Sequence, residues 1–146
     1  MNSTPRSRIG LTNTSRDAVA AQTPRGWGIK FREAFRGIGI AVRTESSFRI
    51  HLPMAVAVIV VATLVKCEVV EWGLLILGIA MVLAAEVFNS SLEALFHGLD
   101  ESSKNRMTGV LDRAAGAVLI VSLGAAAVGL IIFGRRVYLF LASGPA

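Results

Sequence analysis

Four polar side chains interrupt an otherwise apolar stretch of this chain: Glu86, Asn89, Ser90 and Glu93. Their spacing is i, i+3, i+4 and i+7, so at 3.6 residues per turn all four lie on one face of a helix. An ionised side chain deep in a membrane helix costs about 2.5–3.5 kcal/mol even on lenient scales. We therefore expect this face to line an interior or interfacial cavity and not to contact lipid.

Two carboxylates on such a face could do several kinds of chemistry. Mg²⁺ takes oxygen ligands of this type while keeping waters and substrate phosphates, and a carboxylate near a lipid hydroxyl could act as a general base. Glu45 and Asp112, which stand just before two other apolar segments, would approach the same membrane boundary. Alternatively, Glu86 and Glu93 only pair with arginines or hydrogen-bond between helices. The spacing alone leaves these alternatives open.

The composition places the chain in a membrane. Of its 146 residues 53% are hydrophobic, which is more apolar surface than one soluble domain of this size buries. The net charge is +5 and most of the basic residues are arginine. A basic excess fits nucleic acid or anionic membranes, and the hydropathy favours anionic lipid headgroups, or simply the positive-inside bias, over nucleic acid.

Helical periodicity and hydropathy predict an all-α membrane protein. The first structured segment has aromatic and aliphatic side chains at helical spacing and basic residues off that stripe, which is typical of a helix lying in the membrane interface. Three apolar segments of about membrane length follow it. The predicted organisation is a disordered polar tail (1–25), a membrane domain (26–139) with an interfacial helix (27–43) and spans at 48–65, 72–95 and 114–133, and a short C-terminal tail (140–146).

The distribution of basic residues predicts the orientation. The N-terminal region and the loop between the second and third spans are rich in lysine and arginine, so both should be cytoplasmic. The loop between the first two spans carries a single lysine and should face outward. Arg135 and Arg136 then fall on the outer side, against the rule.

Three segments together resemble the prokaryotic diacylglycerol kinase and undecaprenol kinase family. Residues 86–94 resemble its central motif, Glu-x-x-Asn-(Thr/Ser)-Ala-(Ile/Leu)-Glu-Ala. Residues 45–51 resemble the Glu-x-x-Phe-Arg segment before the first span, and residues 112–120 resemble the entry to the third span. The segments keep the order and spacing of the family, and the similarity covers roughly residues 26–135.

The resemblance implies a homotrimer in the bacterial inner membrane, with a cytoplasmic N-terminus and an active site shared between neighbouring protomers. It implies transfer of the γ-phosphate of MgATP to the hydroxyl of a membrane lipid alcohol, such as diacylglycerol or undecaprenol. The roles that it implies are a catalytic base (Glu86), ligands of Mg²⁺ (Glu45 and Glu93), nucleotide-site residues (Asp112 and Asn89, the latter positioning active-site groups) and a headgroup or phosphate contact (Arg49).

The chain departs from the family pattern at two positions. Leu111 stands where the family has a lysine near the ATP phosphates, and His97 stands where it has an aspartate. Asp100, one turn further on, could compensate for His97. Three cations could replace the missing lysine: Lys104, Arg106 and Arg113.

Because of these departures, two other functions are also considered. One is a weakly active or inactive homologue that acts as a non-enzymatic membrane assembly protein. The other is a transporter subunit or ion pathway lined by Glu86 and Glu93. The chain has no internal repeat and no broken helix, which argues against transport. The sequence therefore favours an ATP-dependent lipid kinase.

Overall fold

The computed structural model describes residues 26–142, which are 88% helical and contain no strand. The predicted disordered tail and the final residues, 143–146, lie outside the described residues. The helices, numbered here in chain order, are α1 (Trp27–Thr44), α2 (Phe48–Leu64), α3 (Val69–His97), α4 (Glu101–Arg106) and α5 (Val110–Ala142).

Helices α3 and α5 are each long and apolar enough to cross a membrane, with 29 and 33 residues respectively. Helix α5 extends beyond the predicted span at both ends. It continues through Arg135 and Arg136 to Ala142, although a tail was predicted from residue 140. Arginine is a good helix former, and the side chains of both arginines form ion pairs with Glu71 of α3.

Helix α2 is short for a membrane span. Its 17 residues rise about 26 Å at 1.5 Å per residue, whereas the hydrocarbon core is about 30 Å thick. A break of three residues, Glu45 to Ser47, separates it from α1. The described residues therefore contain two helices that could each span a membrane alone, and a third span only if α1 and α2 are counted as one bent segment.

The chain divides into two compact units between Arg36 and Gly37. The described part of the first unit holds the beginning of α1, where the Trp27 and Phe31 rings lie 6.4 Å apart between centroids. The Lys30 ammonium lies 4.9 Å from the centroid of the Trp27 ring. Cation and aromatic ring attract each other in this geometry, so the basic and aromatic parts of this segment stabilise each other. All candidate site residues lie in the second unit.

In the second unit, α3 packs along α5, and α2 packs against α3. The packing of α3 on α5 is antiparallel, because Glu71 near the start of α3 contacts Arg135 near the end of α5. Gly78 brings the two helices close together, since a Cβ at Gly78 would lie 3.3 Å from the Cβ of Ala125. The small buried core is formed by Ala62, Leu75 and Ile132, one from each of α2, α3 and α5.

A cluster of charges joins the start of α3 to the end of α5. The buried Glu71 carboxylate accepts hydrogen bonds from Arg135 Nη1 at 3.1 Å and from Arg136 Nε at 2.7 Å. It also accepts from the backbone N–H of Glu68 at 2.8 Å, and Arg136 Nη2 lies 2.9 Å from Glu68 Oε1. The two arginines that oppose the positive-inside rule are therefore paired with carboxylates. Because their charges are partly neutralised, they argue less strongly against the predicted orientation.

Candidate functional site

The predicted polar face of α3 is turned toward the protein at two of its four positions. Glu86 is 4% exposed and Ser90 is 8% exposed, while Asn89 and Glu93 are half-buried. The Ser90 hydroxyl donates to the backbone carbonyl of Val87 at 3.1 Å, so its hydrogen-bonding need is met within the helix. The groups available for chemistry on this face are thus the two carboxylates and the amide.

The Glu86 carboxylate is held by a residue of another helix. His51 Nε2, on α2, lies 2.8 Å from Glu86 Oε1, and the His51 side chain is 24% exposed. A buried carboxylate needs such a partner because leaving it unpaired in a low-dielectric site is costly. His51 is not among the candidate site residues predicted from the sequence. The signal that could have identified it is an imidazole near the start of an apolar segment, in the first turn of α2.

Asn89 and Glu93 form a second pair, one turn further along α3. Asn89 Nδ2 donates to Glu93 Oε1 at 2.6 Å. An ionised carboxylate only accepts hydrogen bonds, so the amide nitrogen must face Glu93 and the amide oxygen must face away. That oxygen, Asn89 Oδ1, is buried and has no hydrogen-bond partner among the described residues. It is a buried acceptor for which residues 26–142 supply no donor.

The two predicted metal ligands, Glu45 and Glu93, belong to no complete metal site formed by the described residues. In residues 26–142, no three histidine, cysteine or acidic side chains converge as a metal site would require. Glu45 is half-buried, and its Oε1 lies 3.5 Å from the Thr44 hydroxyl, which donates to it. Arg49 is exposed. The single chain therefore pairs His51 with Glu86 and leaves Glu45 outside any such cluster.

Asp112 lies at a separate cavity formed where α4 leads into α5. The cavity has a volume of about 310 Å³, and Lys104 and Leu111 line it together with Asp112. Gly109, in the turn that enters α5, has φ +74°, a conformation that strains other L residues. This turn places Asp112 in the first turn of α5, where a carboxylate is stabilised by the helix N-terminus.

Asp100, which could compensate for His97, is the N-cap residue of α4. Its carboxylate accepts hydrogen bonds from the Ser102 hydroxyl at 2.5 Å and the Ser103 backbone N–H at 3.3 Å, and so caps α4. These hydrogen bonds, first the one from Ser102 and then those from Ser103, lower the pKa of Asp100 from 3.8 to about 2. Both hydrogen bonds use Oδ2 of an exposed carboxylate, and the compensation considered from the sequence stays a prediction.

Comparison with known proteins gives consistent matches. The family model described as prokaryotic diacylglycerol kinase matches residues 32–133. The chain is 31% identical to an undecaprenol kinase of Bacillus subtilis (strain 168) over 103 residues, which are 70% of this chain and 84% of that relative. It is 34% identical to a diacylglycerol kinase of Synechocystis sp. (strain ATCC 27184 / PCC 6803 / Kazusa) over 102 residues.

The second match covers 69% of this chain but only 58% of the Synechocystis protein, so the chain spans less than two thirds of that relative. No solved structure matches the chain with comparable significance. The family match covers most of the chain and includes every candidate site residue, from Glu45 to Asp112. The chain belongs to the prokaryotic diacylglycerol kinase family.

Proposed function

We propose that this protein is a lipid kinase that transfers the γ-phosphate of ATP to the hydroxyl of a membrane lipid alcohol. The observation that carries the proposal is the buried Glu86 carboxylate on α3, beside the Asn89–Glu93 pair, within a region that matches the family model. The two relatives named above are both kinases, which does not favour a non-enzymatic assembly protein.

In this proposal, Glu86 acts as the general base. Its carboxylate takes the proton of the lipid hydroxyl as the hydroxyl oxygen attacks the γ-phosphorus. The bond between the γ-phosphorus and the bridging oxygen breaks, and ADP leaves with the electron pair of that bond. Phosphoryl transfer depends mainly on positioning and charge stabilisation, and a positioned base contributes about 10²–10⁴-fold to the rate.

Mg²⁺ is the proposed cofactor, held by Glu93 and Glu45. Mg²⁺ is usually bound through one or two carboxylates together with substrate phosphates, so a complete set of protein ligands is not required. One oxygen of Glu93 accepts from Asn89, which orients the carboxylate and leaves the other oxygen for a cation. The donor chemistry therefore fits the ion. When bound, Mg²⁺ would neutralise charge on the transferring phosphate.

The cavity at the start of α5 is the proposed nucleotide site. Asp112 lines it, and Leu111 supplies no charge there. Of the three cations that could replace the missing lysine, Lys104 lines this cavity, and its ammonium also lies 3.1 Å from the exposed Glu101. An ion pair this exposed contributes little free energy to stability. Lys104 can therefore leave Glu101 and bind a phosphate instead at little cost in free energy. We assign the phosphate-side cation to Lys104.

The quaternary and membrane arrangements belong to the same proposal. A homotrimer with a shared active site is supported by the incomplete ligand set of the single chain and by the partnerless Asn89 oxygen. The proposal also includes three spans and an interfacial helix per protomer in the bacterial inner membrane. A cytoplasmic N-terminus is supported by the pairing of Arg135 and Arg136 with Glu71, which weakens the objection from charge. Arg49, exposed at the start of α2, would contact the headgroup or phosphate.

The test is a transfer assay with several acceptors. Purified protein in lipid-containing micelles is given ATP labelled at the γ-phosphate, Mg²⁺, and diacylglycerol, undecaprenol or another lipid alcohol. We expect label in at least one lipid, abolished by chelation of Mg²⁺, and we expect Glu93→Gln to require more Mg²⁺ for half-maximal rate. Absence of label in every lipid at high protein concentration would refute the proposal. The acceptor with the highest kcat/KM identifies the substrate.

A further inference from the structure

The contact between His51 and Glu86 joins two helices at the proposed base. His51 Nε2 is 2.8 Å from Glu86 Oε1, and the Glu86 side chain is only 6% exposed. Among residues 26–142, His51 is the side chain that contacts the Glu86 carboxylate at ion-pair distance. The orientation of this carboxylate therefore depends on one imidazole, supplied by α2.

The chemistry of a base determines which of the two groups can donate a hydrogen bond across this contact. A carboxylate that is to take a proton must be ionised, and an ionised carboxylate only accepts hydrogen bonds. Nε2 of His51 must therefore carry the hydrogen and donate it to Oε1 of Glu86. The second oxygen, Oε2, is then left for the hydroxyl of the substrate.

The surroundings of His51 increase the importance of its contact with Glu86. His51 lines a cavity of about 480 Å³ between α2, α3 and α5, whose other lining residues are apolar except for Ser122. In an apolar, water-poor environment a hydrogen bond is stronger than in water, and a buried carboxylate without a partner is more costly. Loss of the imidazole would leave Glu86 without this anchor and free to change rotamer.

We propose that His51 is a positioning residue for Glu86: its Nε2–H holds Oε1 and presents Oε2 to the lipid hydroxyl. The inference rests on the proposed kinase function and adds a residue to it. A merely structural role, in which the pair only fixes α2 to α3, would predict a loss of stability without a specific loss of kcat.

The first test compares kinetics of variants at His51. His51→Ala should lower kcat about 100-fold, the cost of misplacing a reacting group by about 1 Å, with the KM for the lipid changed by less than about threefold, since substrate binding is not the affected step. His51→Gln, whose amide N–H can donate, should recover most of that loss. Met54→Ala, one turn along α2 in the same cavity and without a polar contact, should keep wild-type kcat within about twofold, as expected for a site away from the chemistry.

A double variant separates positioning from structure. In Glu86→Gln protein, His51→Ala should cause no further loss of kcat, because two groups that act as a unit are non-additive. If the losses multiply, or if His51→Ala keeps wild-type kcat, the inference is wrong. Thermal melting of each variant in micelles identifies one that fails to fold, and His51→Gln then carries the comparison.

A measurement without turnover keeps this test separate from the kinase proposal. In ¹⁵N NMR spectra, the His51 imidazole should carry its proton on Nε2 in wild-type protein and change in chemical shift in Glu86→Gln. If wild-type protein transfers no phosphate, the kinase proposal fails. The NMR spectrum still shows whether the His51 imidazole donates a hydrogen bond to Glu86. A His51 signal identical in the two proteins would overturn the inference.

Discussion

The close approach of α3 and α5 at Gly78 allows a quantitative prediction of stability. A Cβ at Gly78 would lie 3.3 Å from the Cβ of Ala125, whereas nothing lies within 4 Å of a Cβ at Gly73 on the same helix. Gly78→Leu and Gly73→Leu are therefore the same substitution in the same helix with different space around it. The second variant is a matched control for the first.

The magnitude follows from two opposing contributions. Replacing glycine with leucine in a helix favours the folded state by roughly 0.6–1 kcal/mol in both variants. Overpacking at Gly78 opposes it by about 1–3 kcal/mol, because Ala125 and its helix must shift to admit the side chain. The helix propensity cancels in the comparison, so Gly78→Leu should be less stable than Gly73→Leu by about 1–3 kcal/mol.

The assay is equilibrium unfolding in mixed micelles with increasing denaturing detergent, followed by circular dichroism. Both variants and the wild-type protein are measured at one protein concentration, since the apparent stability of an oligomer depends on it. Equal free energies of unfolding for the two variants would refute the packing of α3 on α5 at this point. A Gly78→Leu protein that is more stable than the control would refute it equally.

The remaining predictions concern charged groups away from the proposed base. Glu71→Gln should lower the melting temperature by several degrees and Glu68→Gln by much less, because the first carboxylate is buried between two arginines and the second is 66% exposed. Asp100 should titrate near pH 2 by NMR, so its contribution to α4 is present at neutral pH and lost as the pH falls toward 2. Ser102→Ala should move that pKa back toward 3.8. Lys104→Gln should raise the KM for ATP about tenfold with little change in kcat, as loss of one charged hydrogen bond predicts.

Much of the polar face on α3 could be predicted from the sequence. Glu86 and Ser90 recur at the helical period, and that period alone assigns them to one face, which the structure buries. The same reasoning could not identify the partner of Glu86. The pairing of His51 with Glu86 depends on how α2 is positioned along α3, and side-chain packing between helices sets that register.

The ends of the helices also could not be predicted from the local sequence pattern alone. Hydropathy predicts that the last span ends before Arg135, because charged residues usually mark a membrane boundary. The structure continues α5 to Ala142, and Arg135 donates a hydrogen bond to Glu71, 64 residues earlier in the chain. Likewise, the position of Lys104 beside Leu111 depends on the turn at Gly109, so periodicity could not select it from the other basic residues.

The central claim is that the buried carboxylate of Glu86 is the base for phosphate transfer to a lipid hydroxyl. The most direct measurement is the single-turnover rate of label transfer from ATP to lipid in wild type, Glu86→Gln and Glu68→Gln. We predict a loss of about 10²–10⁴-fold for Glu86→Gln and an unchanged rate for Glu68→Gln, whose carboxylate lies at the other end of α3. A Glu86→Gln protein that transfers phosphate to lipid at the wild-type rate would contradict the account.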